Sequence, residues 1–293
     1  MDVSTEWAEL PAEVRAGVQE NIGMVTHVIP NRRGRSCDLA ATLVLADQQR
    51  VFVKGVSGVS RRMWFLRNES TAPRLAGDLA PRVLFHADFD QDDWLVVVFE
   101  HVEGRAADFT PGSGDLPRIA GTLDQLSGTT APGVRSLRER WSGGQKWRAL
   151  VEDNQVGGWA EKCLSELTKW EAVAPELLVG DALLHTDLHQ DQFIIGADGS
   201  VRVIDWGWPA SGAPWVDVAF LVIRLIAAGH TPAEAERWAA GVPAWSTADG
   251  DAVTAFACYV SGLWSTWALT KEGLGWRASC ARRYAAWRLG QDV

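Results

Sequence analysis

The sequence predicts an α+β protein of two lobes, with an antiparallel sheet and one main helix in the first lobe and mostly helices in the second. Apolar and β-branched runs separated by turn-prone residues occupy the N-terminal third, whereas helical patterns dominate from Trp215 to the end. The character of the sequence changes after residues 102–104. We therefore expect two domains, 1–102 and 103–293, with a cleft at the connector.

Five runs in the first lobe are typical of strands: Met24–Pro30, Asp38–Ala46, Arg50–Val56, Arg82–His86 and Trp94–His101. The second and third runs flank turn-prone residues 47–49, and this arrangement predicts a hairpin. Residues Ser60–Thr71 have the apolar side of a helix. Pro73 predicts the end of that helix, because proline lacks the N–H that a continuing helix needs.

Helical patterns in the second lobe cover Leu116–Leu126 and Gly158–Ala172, with loops rich in glycine, proline and serine near them. Three short strands then return: Ala182–His185, Phe193–Ile195 and Val201–Ile204. The turn at residues 197–200 joins the last two strands into a small hairpin.

The composition of the 293 residues is that of an ordinary globular protein, with 47% hydrophobic and 22% charged residues. A net charge of -9 argues against nucleic acid or an anionic membrane as a partner. The N-terminal segment lacks the pattern of a signal peptide, and no apolar run approaches the length of a membrane span. The four cysteines have no metal-binding spacing, which favours free thiols in a reducing compartment and a cytoplasmic protein.

Two short segments contain the residues with the clearest chemical potential. Residues 183–195 place Asp187 in a polar loop between two apolar strands, where a cluster of ionisable groups is costly unless it binds something. Residues 201–207 end a buried strand on Asp205 and a glycine. The two aspartates are 18 residues apart on either side of the hairpin, so we expect both carboxylates at one site. A pair of loop-capping carboxylates is the alternative interpretation.

Together these segments resemble the His-Gly-Asp-x-x-x-x-Asn and Asp-[Phe/Trp]-Gly motifs of aminoglycoside phosphotransferases, which have a bilobal protein-kinase-like fold. The resemblance implies that Asp187 is the catalytic aspartate, which accepts the proton of a substrate hydroxyl. It also implies that Gln192 and Asp205 hold Mg²⁺ through oxygen ligands. His185 is expected to be structural rather than an acid or base.

The same resemblance implies a nucleotide site in the first lobe, residues 1–102, and a catalytic and substrate-binding second lobe, residues 103–293. Lys54, at the end of a predicted strand, corresponds to the lysine that contacts the α- and β-phosphates of the nucleotide. Glu69 is the expected ion-pair partner of Lys54, since it is the only acidic residue between Lys54 and Asp78. A solvated lysine and a surface glutamate are the alternatives.

Two further stretches complete the implied nucleotide site. Residues 31–36 lie where a phosphate-covering loop belongs, and Gly34 and Ser36 are the residues expected to contact phosphates. A solvated basic hairpin tip is the alternative there. Residues 98–104 resemble the hinge that bonds the nucleobase through its backbone, at Glu100 and Val102.

The sequence departs from the family motif at two positions in the catalytic loop. Thr186 replaces the usual glycine, so a β-branched residue must fit a tight loop, and Gln192 replaces the usual asparagine. Further on, Asp217 lies in a segment that resembles the one following the metal motif in this family. We expect Asp217 to support the catalytic loop from the start of a helix.

The resemblance implies an ATP- or GTP-dependent O-phosphotransferase that acts on a hydroxyl of an antibiotic-like small molecule, in resistance or self-protection. A metabolic kinase of the choline, homoserine or sugar type is one alternative, and a nucleotide-binding pseudokinase is the other. Residues 206–293 carry seven acidic and seven basic side chains, so they do not predict a polycationic acceptor. They also contain nine of the sixteen tryptophans, which either form core or line a cleft for an aromatic acceptor.

Overall fold

The computed structural model describes residues 5–31, 37–91, 93–141 and 145–291. The chain forms two compact units. Unit 1 comprises Met1–Ala106 and Gln192–Pro209, and unit 2 comprises Ala107–Asp191 and Ala210–Val293. The small hairpin after the catalytic loop therefore belongs to the same unit as the N-terminal sheet.

The helices and strands follow one another in this order: α1 (Ala12–Ile22), β1 (Val25–Pro30), β2 (Leu39–Leu45), β3 (Arg50–Ser57), α2 (Arg61–Thr71), α3 (Pro73–Ala76), β4 (Val83–Phe89), β5 (Trp94–Glu100), β6 (Arg105–Ala106), α4 (Leu116–Ser127), α5 (Leu137–Trp141), α6 (Lys146–Glu152), α7 (Gly158–Lys162), α8 (Leu164–Leu177), β7 (Ala182–Leu184), β8 (Phe193–Ile195), β9 (Val201–Val203), β10 (Ala210–Gly212), α9 (Val216–Ala227), α10 (Pro232–Ala239), α11 (Gly250–Thr270) and α12 (Gly275–Arg288).

Unit 1 is built on a five-stranded antiparallel sheet in the order β1-β2-β3-β5-β4. Strand residues alternate between its two faces, because successive side chains of a strand point to opposite sides. Val51 and Val53 of β3 join the apolar cluster that includes α1, whereas Val56 joins the cluster that includes Leu66 of α2. By the same alternation Lys54 lies on the α2 side of the sheet.

The α2 helix begins after Ser60 and ends at Thr71, as the sequence predicts. Pro73 does not end the helical region, because it opens the short α3, whose first turn needs no N–H from that position. A second sheet of unit 1 pairs β6, β8 and β9 antiparallel, with β8 and β9 joined by the predicted hairpin turn. Gly199 in that turn has φ 80, a left-handed conformation that glycine adopts without strain.

Unit 2 is mostly helical, with β7 and β10 forming a two-stranded sheet. Its central helix, α11, has 21 residues and is apolar on nearly every side, because α8 and α12 pack on it. By length and composition α11 resembles a membrane span, but its apolar window is 72% buried within the protein, as in a core helix.

The predicted helix over Gly158–Ala172 is two helices in the structure, α7 and α8, with a break at Cys163. The pattern does not reveal the break because Ala160 and Leu167, on either side of it, are both buried. All four cysteines are free, and three of them are buried. Burial raises the pKa of the Cys37 thiol to about 11, which makes it an unreactive core group.

Candidate active site

Unit 1 contains a concave pocket of about 220 Å³ that collects most of the residues predicted to bind a nucleotide. Lys54, Glu69 and Asp205 lie along it, and Glu100 and Val102 also line it. Apolar side chains cover much of the remaining wall: Phe52, Pro73, Pro81, Phe99, Ile194 and Ile204. Mostly apolar walls with a few charged groups are typical of a small-molecule site.

Three charged side chains meet at the polar part of this pocket. The Lys54 Nζ lies 2.6 Å from Glu69 Oε2, and it also forms an ion pair with Asp205 Oδ1. Lys54 and Glu69 are buried, whereas the Asp205 side chain is 43% exposed. Burial on its own lowers the pKa of Lys54, but the Asp205 and Glu69 carboxylates together raise it above its ordinary value. The ammonium is therefore held in its charged form.

Each member of this triad is positioned by a different element of unit 1. Lys54 comes from the side of β3 that faces α2, Glu69 comes from α2, and Asp205 follows β9. The backbone of Asp205 has φ 65, a conformation uncommon for a non-glycine residue. Two residues later, Gly207 passes close to α2, and its carbonyl accepts a hydrogen bond of 3.0 Å from the Asn68 side chain. A Cβ on Gly207 would lie 3.4 Å from the Phe65 Cβ, an ordinary van der Waals contact, so the packing on α2 leaves room for a small side chain there.

The predicted hinge lies where β5 ends. Glu100 is still paired in the sheet, and its carboxylate accepts a hydrogen bond of 2.6 Å from Arg82 and lies 3.4 Å from Arg202. His101 and Val102 follow the strand and line the pocket. The Glu100 carboxylate is therefore engaged by the two arginines.

The remaining residues predicted for the nucleotide and metal site are Gly34, Ser36 and Gln192. Gly34 and Ser36 lie outside the described residues. Gln192 is buried at the end of the turn Gln190–Gln192, and its backbone carbonyl accepts a hydrogen bond of 3.0 Å from Ile204. It does not line the pocket that contains Asp205. Its role as a metal ligand stays a prediction.

The predicted catalytic loop belongs to unit 2, where Asp217 organises its backbone. Asp217 is the second residue of α9, and its carboxylate accepts hydrogen bonds from the N–H groups of His185 at 2.6 Å and Thr186 at 2.9 Å. Burial raises the pKa of Asp217, and His185 together with the two backbone N–H groups opposes that rise. The predicted supporting role of Asp217 is confirmed.

Thr186, at the position of the family glycine, has φ 63. The left-handed region is strained for a β-branched residue, so the loop keeps a glycine-type conformation without a glycine. The Thr186 hydroxyl accepts a hydrogen bond of 2.9 Å from Arg140 Nη1, and its N–H bonds to Asp217. These contacts hold Thr186 in the unfavourable conformation.

Asp187 has two partners that sequence reasoning missed. Its Oδ1 lies 3.1 Å from Arg224 Nη2 and 3.3 Å from Arg277 Nη2. Arg224 is on α9 and Arg277 is on α12, far along the chain from Asp187. No local pattern in the sequence distinguishes these two arginines from the other basic residues of the helical region.

The family model described as the phosphotransferase enzyme family, APH, matches residues 69–250, more than half of the chain. The chain belongs to this family. The matched residues include both aspartate motifs and Asp217. No curated protein matches the sequence.

Solved structures of phosphotransferases share the fold. The choline kinase LicA from Streptococcus pneumoniae is 18% identical, with 95% of this chain and 100% of that chain covered and a TM-score of 0.64. A thermostable aminoglycoside phosphotransferase APH(4)-Ia with AMP-PNP and hygromycin B is 14% identical, with 95% and 98% covered and a TM-score of 0.67. Spectinomycin phosphotransferase APH(9)-Ia with ADP and spectinomycin is 11% identical, with 93% and 92% covered and a TM-score of 0.58. The predicted α+β, protein-kinase-like fold is confirmed.

Several tryptophans of this APH-family chain are core residues, whereas Trp276 and Trp287 of α12 are exposed. Trp206, Trp215 and Trp264 are 1%, 3% and 2% exposed. Trp208 packs on Phe65 of α2, with 4.3 Å between ring centroids. The interpretation of these side chains as core is favoured over a stacking platform for an aromatic acceptor.

Proposed function

We propose that this phosphotransferase moves the γ-phosphate of ATP or GTP to a hydroxyl of a small, antibiotic-like molecule. The observation that supports this proposal most directly is the triad of Lys54, Glu69 and Asp205 at the polar part of an otherwise apolar pocket. A fixed buried ammonium is suited to phosphate oxygens, and the apolar wall is suited to a nucleobase. Membership of the family and the shared fold support the same reaction class.

In this proposal Lys54 contacts the α- and β-phosphates, and Glu69 orients its ammonium. The backbone at Glu100 and Val102 bonds the edge of the nucleobase, and Gly34 with Ser36 covers the phosphates. The solved relatives with ADP or AMP-PNP support a nucleoside triphosphate as donor.

The partly exposed Asp205 carboxylate is an oxygen ligand of the kind that suits Mg²⁺. Mg²⁺ prefers oxygen ligands and is usually held by one or two protein groups plus substrate phosphates. Asp205 provides a half-exposed carboxylate, and we propose Gln192 as the second, amide, ligand. Within the part of the chain that the structure describes, no group of three or more His, Cys, Asp or Glu forms a closed metal cage. Bound Mg²⁺ would neutralise charge on the phosphates during transfer.

We propose Asp187 as the group that orients the acceptor hydroxyl and accepts its proton. As the acceptor oxygen bonds to the γ-phosphorus, the bond from that phosphorus to the β-phosphate oxygen breaks and a nucleoside diphosphate leaves. Asp217 keeps Asp187 in place through the loop backbone. The transfer itself needs little covalent chemistry from the protein.

Two biological settings fit this chemistry. Hygromycin B and spectinomycin in the solved relatives support an antibiotic-like acceptor and a role in resistance or self-protection. The choline kinase among them supports a metabolic kinase as the second candidate. Three statements stay predictions: that the acceptor is a small molecule, that the protein binds neither nucleic acid nor membrane, and that it is cytoplasmic.

Phosphoryl transfer is tested by mass spectrometry of an acceptor panel with Mg²⁺ and ATP or GTP. The panel contains aminoglycosides, nucleoside, peptide and macrolide antibiotics, choline, homoserine and sugars. We expect one phosphoryl group on a member of the panel, and its loss in Asp187→Asn. Asp124→Asn, at an exposed position of α4, is the matched control. Nucleotide binding without any transfer would favour a pseudokinase instead.

A further inference from the structure

The surroundings of Asp187 contain more positive than negative charge. One oxygen of this carboxylate faces two guanidinium groups, from Arg224 at 3.1 Å and Arg277 at 3.3 Å. The arginine side chains are only 14% and 19% exposed. Among the described residues, no other acidic side chain lies within ion-pair distance of either arginine. One carboxylate therefore balances two partly buried cations.

Arg277 is the less satisfied of the two arginines. Its Nε is buried and has no hydrogen-bond partner in the described chain. Burial first, and then the neighbouring Arg224, lower the pKa of Arg277 to about 9, while Asp187 opposes this. An additional anion would stabilise the charged form of this guanidinium, because burying a charge is costly unless it is paired.

The two guanidiniums are held in fixed positions by unit 2. The Arg277 Cζ lies 3.6 Å from the centroid of the Trp264 ring, and the Arg224 Cζ lies 5.0 Å from it. Arg224 also donates a hydrogen bond of 3.2 Å from Nε to the carbonyl of Leu188 in the catalytic loop. The aromatic contacts place the arginines before any ligand arrives, and a placed guanidinium matches the planar geometry of oxyanions.

We infer that the acceptor carries an oxyanion, a carboxylate or a phosphate ester, that Arg224 and Arg277 bind while Asp187 holds the reacting hydroxyl. This inference rests on the proposed function, and it names the acceptor class. A cationic acceptor would gain little at this place, because Arg224 and Arg277 already outweigh the charge of Asp187. Cationic acceptors are thus disfavoured for this chain.

The test uses a library of hydroxy acids and hydroxyalkyl phosphates, each paired with its methyl ester or its dephosphorylated alcohol, together with choline and kanamycin. Phosphoryl transfer is measured with Mg²⁺ and ATP, and the melting temperature of the full chain is measured with each compound. We expect kcat/KM for the anionic member of a pair to exceed that of its neutral partner by about 10- to 100-fold. The carboxylate and phosphate arms show which oxyanion is used.

Variants of Arg277 separate ligand binding from mere positioning of Asp187. Arg277→Met is expected to raise KM for anionic acceptors by about 10-fold or more, with Arg277→Lys recovering part of the loss. If Arg277 only positions Asp187, the Arg277→Met variant would instead have a lower kcat with unchanged KM and unchanged anion preference. That result would overturn the inference. Arg283→Met, an exposed arginine on the same helix, is the matched control. The nucleotide-induced rise in melting temperature shows that each variant is folded.

The outcomes separate this inference from the proposed function. Preferred transfer to cationic or neutral acceptors would overturn the oxyanion site and leave the kinase intact. Stabilisation by anionic compounds that is lost in Arg277→Met, without transfer to any acceptor, would support the site and contradict the kinase. Absence of both transfer and anion-dependent stabilisation would overturn the oxyanion site.

Discussion

Lys54 is the residue in which burial and charge oppose each other most directly. Burial alone would favour a neutral amine, yet contacts with Glu69 and Asp205 keep the ammonium charged. The two carboxylates differ in turn, since Glu69 is buried and Asp205 is half-exposed. Removal of the lysine would therefore affect Glu69 more than Asp205.

We expect Lys54→Met to lower the free energy of unfolding by about 3–5 kcal/mol, because it leaves the buried Glu69 carboxylate without its cation. Urea denaturation measures the change. The double variant Lys54→Met/Glu69→Gln should lose less than the sum of the single variants, because no charge is then stranded. Additive losses would contradict a coupled buried pair.

Thr186 has a strained backbone conformation in the catalytic loop, and its hydroxyl accepts a hydrogen bond there. Thr186→Gly removes a backbone strain of about 1–2 kcal/mol. It also loses the hydrogen bond from Arg140 and raises the conformational entropy of the unfolded chain. Because these effects oppose each other, the free energy of unfolding should change by less than about 1 kcal/mol. Thr186→Val keeps the strain and loses the acceptor, so a loss of about 1–3 kcal/mol is expected. Equal effects of the two variants in urea denaturation would refute this account.

At the scale of elements, the start of α9 organises the catalytic loop. The Asp217 carboxylate accepts hydrogen bonds from two buried N–H groups of this loop. Helix α11 has a different function, since its Gly262 allows Trp147 of α6 to pack against the helix backbone. Each contact depends on the residue type at a single helix position, a carboxylate at 217 and the absence of a side chain at 262.

Asp217→Ala should lower the free energy of unfolding by about 2–5 kcal/mol, because two buried N–H groups lose their acceptor. Phosphoryl transfer should fall with it, whereas nucleotide affinity should stay within a few-fold. The matched control is Asp249→Ala, an exposed aspartate that caps α11 and whose loss should cost about 1 kcal/mol. Equal losses at the two helix starts would speak against the loop-supporting role.

Gly262→Ala should destabilise the protein by about 1 kcal/mol or more, although alanine favours helix formation. The new Cβ would lie 2.9 Å from Trp147 Nε1, whose hydrogen bond of 2.7 Å to the Cys258 carbonyl limits its movement. Gly121→Ala, in α4 with open space around it, should instead stabilise by about 0.5–1 kcal/mol. Thermal unfolding of both variants measures the contrast, and stabilisation by both would disprove the packing argument.

At the scale of the whole molecule, the two units contain different parts of the proposed chemistry. The nucleotide-type pocket is lined entirely by residues of unit 1, and Asp187 with its two arginines belongs to unit 2. Ligands for donor and acceptor should therefore protect different segments of the chain.

Hydrogen exchange followed by mass spectrometry tests this division. We expect AMP-PNP with Mg²⁺ to slow exchange in β3, α2 and residues 99–102, where the proposed donor contacts lie. An anionic acceptor should slow exchange in α9 and α12. Chelation of Mg²⁺, or Asp205→Asn, should weaken the first effect only. Nucleotide protection confined to α9 and α12 would contradict the assignment of the donor site.

Much of the fold was accessible from local patterns. The strands of unit 1 lie within a few residues of the predicted runs, because a run of apolar and β-branched residues between turn-prone ones is a property of consecutive residues. The break at Cys163 and the short strands β6 and β10 were not predicted. The two strands exist by pairing with distant segments, β6 with β8 and β10 with β7, rather than through their own residues.

The sequence by itself determined the α+β class, through the order of its elements, and the two aspartate motifs, through spacing within short segments, whereas the lysine–glutamate pair was an implication of the family resemblance. Only the tertiary structure decided which cations reach Asp187. Seven basic residues lie in 206–293, and their local sequence does not distinguish Arg224 and Arg277 from the others. Those two meet Asp187 because α9 and α12 pack together on Trp264, a consequence of long-range packing that no local pattern encodes.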